Sequence, residues 1–154
     1  MLKPLRNAVV STLILAVVLW ATDPFAGVWK LNTAKSKYQQ GQAPKDETIT
    51  ITETRGDLMI GVEITSSTGK SASSKYKVPI KGGEGTVVEA SDYDVVTAKR
   101  LGERERETRM LRGAKEVRTV HSTVSRDSTT MTIQVKGVDP MGQPIEGTLV
   151  FEKQ

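Results

Sequence analysis

Apolar and polar residues alternate along most of the chain after residue 26. In residues 58–65, for example, Leu58, Ile60, Val62 and Ile64 fall on one side of an extended chain. This spacing is typical of a strand with one buried face, because successive strand side chains point to opposite sides of the sheet. The pattern predicts about nine strands, at residues 27–31, 47–54, 58–65, 71–80, 94–101, 104–111, 115–124, 130–138 and 145–151.

The predicted strands recur about every ten residues and are separated by polar turns. Two connections are longer: residues 32–44 predict a loop with room for one helical turn, and residues 81–85 predict a flexible glycine-rich link. No segment shows the apolar spacing of the long helices that parallel strands require. We therefore expect an all-β antiparallel up-and-down meander. Closure into a barrel is favoured because it removes both sheet edges, and a β-sandwich is the alternative.

The first 21 residues differ from the rest of the chain. Lys3 and Arg6 precede an apolar run from Ala8 to Trp20, which ends at the small residue Ala21. This order is typical of a secretion signal, and thirteen apolar positions are fewer than the roughly 20 that a spanning helix needs. We expect a cleaved signal at residues 1–21 and an exported domain at 22–154, periplasmic or extracellular. An uncleaved membrane anchor is the alternative.

The charge of the domain is modest once this segment is set aside. Without Lys3 and Arg6 the formal net charge of +4 falls to +2, which argues against a dedicated nucleic-acid-binding protein. The chain has no cysteine, so thiolate catalysis and cysteine-based zinc sites are excluded. About 130 residues can bury a core without disulfides.

The segment Asp23–Leu31, with the sequence DPFAGVWKL, resembles the opening of the calycin barrels, which are the lipocalins and the fatty-acid-binding proteins. Its continuation through Tyr38 is similar to small exported bacterial lipocalin-like proteins. The resemblance implies a barrel in which Trp29 plugs one end, and a carrier of small apolar or amphipathic molecules. The chain departs from the family because its last strand offers no arginine to cover Trp29 and no helix pattern follows that strand.

A basic stretch from Lys99 to Arg118 carries the densest candidate chemistry. It holds eight Lys or Arg residues against four glutamates, including six of the eight arginines that follow residue 21. Arginine favours planar two-point contacts with carboxylate or phosphate. Neither face of its strand 104–111 is clearly apolar. One face carries Arg104, Arg106 and Thr108, and the other carries Glu105, Glu107 and Arg109.

Two interpretations of this stretch stay open. Its inward face lines a polar cavity that holds an acidic ligand group, or its Glu–Arg pairs cover a solvated face and discourage edge pairing. If it lines a cavity, Arg109 and Arg118 are the expected inward-pointing ligand partners.

Four other side chains are candidates for ligand contact. Trp29 either stacks on a ligand or plugs the barrel, and Tyr76 and Tyr93 suit the wall of a wet cavity or an ordinary half-buried sheet position. His121, the only histidine, either packs across strands or contacts a ligand. No residue spacing singles out an acid–base pair or a nucleophile, so no enzyme, cofactor or metal site is predicted.

The sequence therefore predicts a monomeric binding barrel for a small lipophilic or amphipathic molecule. The alternative is a structural or interaction protein of the cell envelope that associates weakly with anionic surfaces through its arginine-rich sheet face.

Overall fold

A computed structural model describes residues 22–154 of the protein, so the predicted signal at residues 1–21 lies outside the described residues. Within this range all regular structure is β-strand, and no helix is long and apolar enough to cross a membrane. The twelve strands are β1 Gly27–Leu31, β2 Lys37–Gln40, β3 Asp46–Thr54, β4 Asp57–Thr65, β5 Ser71–Pro79, β6 Gly82–Glu84, β7 Thr86–Glu89, β8 Val95–Gly102, β9 Glu105–Arg112, β10 Lys115–Val124, β11 Thr130–Val138 and β12 Pro144–Lys153.

These strands form one antiparallel sheet that curls into a nearly closed barrel. Neighbours follow the order β6-β8-β9-β10-β11-β12-β1-β3-β4-β5-β7, and β2 pairs with β12 outside this path. The first and last strands lie side by side, with Leu31 opposite Phe151. The predicted all-β antiparallel meander barrel is confirmed.

The nine predicted strands correspond to β1, β3, β4, β5 and β8 to β12, and three short strands among residues 22–154 were not predicted. The loop expected at residues 32–44 contains β2, which pairs with β12 near Gly147, and a turn at residues 33–35 instead of a helical turn. The flexible link expected at residues 81–85 contains β6, and β7 follows it.

Strands β6 and β7 close the barrel where β5 and β8 face each other. They are two halves of one extended segment: β6 pairs with β8, and β7 pairs with β5. Gly85 lies between the halves and donates its N–H to the Val96 carbonyl at 2.9 Å. A Cβ at this position would lie only 2.7 Å from Val78 Cγ1 and 2.9 Å from Val96 Cγ1, so the crossing requires glycine.

The inward faces of the strands supply a single hydrophobic core. We call the end of the barrel that contains Phe25 and Trp29 the plug end, and the opposite end, where Glu47 and Ile145 lie, the mouth. Strands β4, β9 and β11 begin at the plug end, and the turn between β11 and β12 lies at the mouth. The interior of the barrel therefore lies between the plug end and the mouth.

Candidate ligand-binding site

Two buried aromatic side chains, Phe25 and Trp29, fill the plug end of the barrel. Trp29 is completely buried, and its Nε1–H donates to the Phe25 carbonyl at 2.8 Å. Phe25 is itself buried just ahead of β1. The ammonium group of Lys153, from the last strand, lies 5.1 Å from the centroid of the Trp29 ring. Trp29 therefore has the position of a plug, and a lysine covers it where the lipocalin resemblance implies an arginine.

Above the plug end the barrel encloses a cavity of about 110 Å³. Most of its wall consists of aliphatic and thioether side chains from strands on every side of the barrel. They include Ile49, Ile51, Ile60, Val62, Ile64, Met110, Val120, Met131, Ile133, Val135, Ile145 and Leu149. A cavity with such walls favours an apolar molecule, because water entering it finds few hydrogen-bond partners there.

The cavity continues into a larger groove at the mouth, whose volume is about 520 Å³. Four residues line both spaces: Glu47, Ile64, Asp139 and Ile145. Burial raises the pKa of Glu47 to about 7, and the nearby Arg118 opposes this rise only in part. The side chain at the junction is therefore a carboxyl group that is substantially protonated near neutral pH.

A small polar cluster interrupts the apolar wall. Arg106 and Thr108 point inward from β9, and Ser122 lies directly opposite Arg106 on β10. Tyr76 and Ser74 project from β5 into the same cavity. Burial raises the pKa of Tyr76 above its usual value, so its phenol stays neutral in the ordinary pH range. The cluster thus offers one cation and several neutral hydroxyl groups.

Arg118 lines the cavity near the mouth, but its guanidinium group already has partners. Its Nη1 donates to Asp92 Oδ2 at 3.0 Å and to the Val138 carbonyl at 2.6 Å, and its Cζ lies 5.8 Å from the centroid of the Tyr93 ring. Gly137 pairs with Arg118, and a Cβ there would lie 2.7 Å from the Arg118 Cα. The close approach of β11 therefore helps to fix the backbone that carries Arg118.

Tyr93 is buried beside this pair and makes an edge-on contact with Tyr76, with ring centroids 6.3 Å apart. It does not line the cavity. Two of the six predicted ligand-contacting residues, Tyr76 and Arg118, lie on the cavity wall. Trp29 and Tyr93 do not line the cavity but contact residues that do: Trp29 bonds to Phe25, and Tyr93 packs against Tyr76.

Arg109 and His121 lie outside the barrel, which corrects the expectation that Arg109 points inward. Arg109 is 55% exposed and its Nε lies 3.0 Å from Glu107 Oε1. His121 contacts Glu105 across the strands, at 2.8 Å from Nε2 to Oε1. Among residues 22–154, no group of three or more His, Asp or Glu side chains is placed to hold a metal ion.

Both interpretations of the Lys99–Arg118 stretch describe part of it. Glu105, Glu107 and Arg109 form a solvated outer face, while Arg106 and Thr108 line the cavity. Five of the six arginines donate hydrogen bonds within the chain. These are Arg100, Arg104, Arg109, Arg112 and Arg118. The remaining one, Arg106, has two buried donors, Nε and Nη2, that find no hydrogen-bond partner among residues 22–154.

Arg106, Glu47 and Asp139 are the charged cavity residues that sequence reasoning missed. The sequence gives no signal for Arg106, because each face of β9 carries one large apolar residue: Met110 on the face of Arg106 and Leu111 on the face of Arg109. Glu47 has no signal either, since it lies at the polar end of β3.

The fold and this site define a class: a nearly closed antiparallel β-barrel with an apolar internal cavity, compatible with a calycin-like fold. The chain matches no protein-family model and no curated protein.

Proposed function

We propose that this protein is a lipocalin-like binding barrel, whose interior takes up one small amphipathic molecule. The observation that carries the proposal is the apolar cavity that opens into the mouth groove through shared residues. Apolar walls with a few convergent polar groups are the usual composition of small-molecule sites. We also propose that the protein acts after export, on the basis of the signal pattern at residues 1–21.

The volumes limit the size of the molecule. Drug-sized ligands occupy pockets of roughly 300–1,000 Å³, whereas an apolar cavity of ~150 Å³ takes up a single benzene ring. The interior, at about 110 Å³, accepts a short chain or one small ring. Any remaining part of a longer ligand would lie in the groove, whose volume is about 520 Å³.

We favour an interior ligand over an anionic partner on the outer sheet face. Carboxylates of the same chain pair with several of the arginines that would attract such a partner, such as Glu107 with Arg109 and Asp23 with Arg100. A guanidinium group beside a carboxylate contributes little net positive potential to a surface.

A cavity-filling variant tests this proposal. Val62 lines the cavity, so Val62→Phe places a larger side chain inside it. We expect this change to weaken binding of two six-carbon probes, hexan-1-ol and hexanoate, by at least roughly tenfold, because the space is lost. The dissociation constants are measured by NMR titration, and far-ultraviolet circular dichroism verifies that each variant is folded.

Glu63→Phe is the matched control, since Glu63 is the next residue on β4 and is exposed on the outer face. It should bind both probes as the wild type does. The proposal fails if the folded Val62→Phe variant binds the probes as tightly as the wild type, or if the wild type binds neither of them.

A further inference from the structure

The backbone ahead of β1 is folded into a tight turn that begins at Asp23. The Asp23 carbonyl accepts the N–H of Ala26 at 2.9 Å, and its side chain accepts the N–H of Phe25 at 3.0 Å. Aspartate at the first turn position and proline at the second are the residues that such a turn favours. The sequence of residues 23–26 therefore fixes the direction of the chain where it enters the barrel.

A buried ion pair holds the first residue of this turn. Oδ2 of Asp23 lies 2.9 Å from Nη1 of Arg100, and the two side chains are only 5% and 17% exposed. Arg100 is itself fixed, because its guanidinium group also donates to the carbonyls of Gly102 and Glu103, between β8 and β9. Breaking a buried pair costs more than breaking an exposed one, because a desolvated charge is left without its partner.

Phe25 and Glu53 add two further attachments at the plug end. The Phe25 ring is buried and lies 5.4 Å from Cζ of Arg100, and the Phe25 carbonyl accepts the indole N–H of Trp29. Oε2 of Glu53 accepts the backbone N–H of Asp23 at 2.9 Å. We call Asp23, Phe25, Glu53 and Arg100 the clamp. Together they hold both the backbone and the side chains of residues 23–25.

The predicted cleavage point of the signal lies next to the clamp. Cleavage after Ala21 breaks the bond to Thr22, and Thr22 alone separates that bond from Asp23. Two extended residues span roughly 7 Å. A protease can bind and cut only a backbone that is free of burial and hydrogen bonds, so the clamp must open before the folded chain is cut. Opening it exposes Phe25 and leaves Arg100 without its counter-charge.

We infer that folding of the barrel closes this cleavage point, so that the signal is removed only from chains that have not yet folded. A chain that folds first keeps residues 1–21 and stays attached to the membrane by them. Its plug end then faces the membrane, and its mouth, about 30 Å away along nine-residue strands such as β3, faces away from it. This inference rests on the export part of the proposed function, and it makes the cleaved and the anchored form two outcomes of the order of folding and cleavage.

The test supplies a purified signal peptidase to the full-length chain at two different times. In the first arm, the peptidase is present in detergent micelles while residues 1–154 are synthesised in a cell-free system. In the second arm, it is added to purified full-length chain that is already folded in the same micelles, as far-ultraviolet circular dichroism verifies. Mass spectrometry measures how fast a product that begins at Thr22 appears.

We expect cleavage in the second arm to be slower by at least roughly tenfold, because only chains with an open clamp are cut there. Six glycine and serine residues inserted between Thr22 and Asp23 should restore rapid cleavage of the folded chain, since they carry the bond roughly 20 Å farther from the clamp. The matched control has the same six residues inserted after Gly142, in the exposed turn at the mouth. It should stay as resistant as the wild type.

Equal rates in the two arms overturn this inference and leave the proposed function standing. Resistance of the folded chain that persists with the insertion after Thr22 also overturns it, because the clamp would then not be the cause. Rapid cleavage of the folded Gly142 control does the same, since any insertion would then loosen the chain. No cleavage in either arm overturns both the inference and the export part of the proposed function. The probe titrations of Val62→Phe are unaffected by these results.

Discussion

Replacing Asp92 by alanine is expected to lower the free energy of unfolding by roughly 3–5 kcal/mol. Asp92 Oδ2 and Arg118 Nη1 lie 3.0 Å apart, and the two side chains are only 18% and 9% exposed. Without Asp92, the buried guanidinium group keeps the Val138 carbonyl as its hydrogen-bond partner but loses its counter-charge. Urea unfolding of wild type and variant measures the difference.

An ion pair on the outer face gives the matched comparison. Arg109 Nε and Glu107 Oε1 are also 3.0 Å apart, but Arg109 is largely exposed. Glu107→Ala should therefore cost no more than ~1 kcal/mol. The double variant Asp92→Ala/Arg118→Met should recover most of the loss, because it removes the unpaired buried charge. A cost for Asp92→Ala as small as that of Glu107→Ala would show that the inner pair does not stabilise the mouth.

Replacing Trp29 by alanine is expected to cost roughly 3–5 kcal/mol of unfolding free energy. The ring is completely buried at the plug end, and its Nε1–H bonds the Phe25 carbonyl. The change leaves a large hole beneath the cavity and removes the ring that Lys153 covers. Thermal and urea unfolding, both followed by circular dichroism, measure the loss.

Two variants separate the plug from a general effect on β1. Val28→Ala alters the neighbouring exposed residue and should change the stability by no more than about 0.5 kcal/mol. Trp29→Phe keeps much of the ring volume and should cost clearly less than Trp29→Ala, because the cavity that remains is smaller. If Trp29→Ala lowered the free energy of unfolding by as little as Val28→Ala, Trp29 would not be a structural plug of the barrel.

The strands that sequence alternation predicted are those with a regular buried face. Leu58 to Ile64 is such a case, and its register against β3 and β5 follows the alternation without a break. The missed strands lack this signal. β2 is mostly exposed and depends on β12, more than 100 positions away in the chain, while β6 begins with two glycines. Their strand character comes from long-range pairing, which local composition does not report.

The site was predictable only in part, for a related reason. The two faces of β9 have similar polarity, so alternation alone does not say whether Arg106 or Arg109 points inward. Pairing with β8 and β10 decides it, by placing Arg106 opposite Ser122 and Arg109 opposite Thr119. The irregularity between Glu116 and Arg118 then shifts the register of β10, which a period of two does not anticipate.

Ligand binding inside the barrel is tested most directly by an NMR titration that follows the methyl resonances of the protein as hexanoate and hexan-1-ol are added. If the ligand binds inside the barrel, resonances of cavity residues such as Ile60, Val62 and Ile133 should shift in a saturable manner. The exposed methyl groups of Val88 and Leu101 should stay unchanged. Saturable shifts confined to exposed methyl groups, or none with either probe, would contradict a ligand-binding interior.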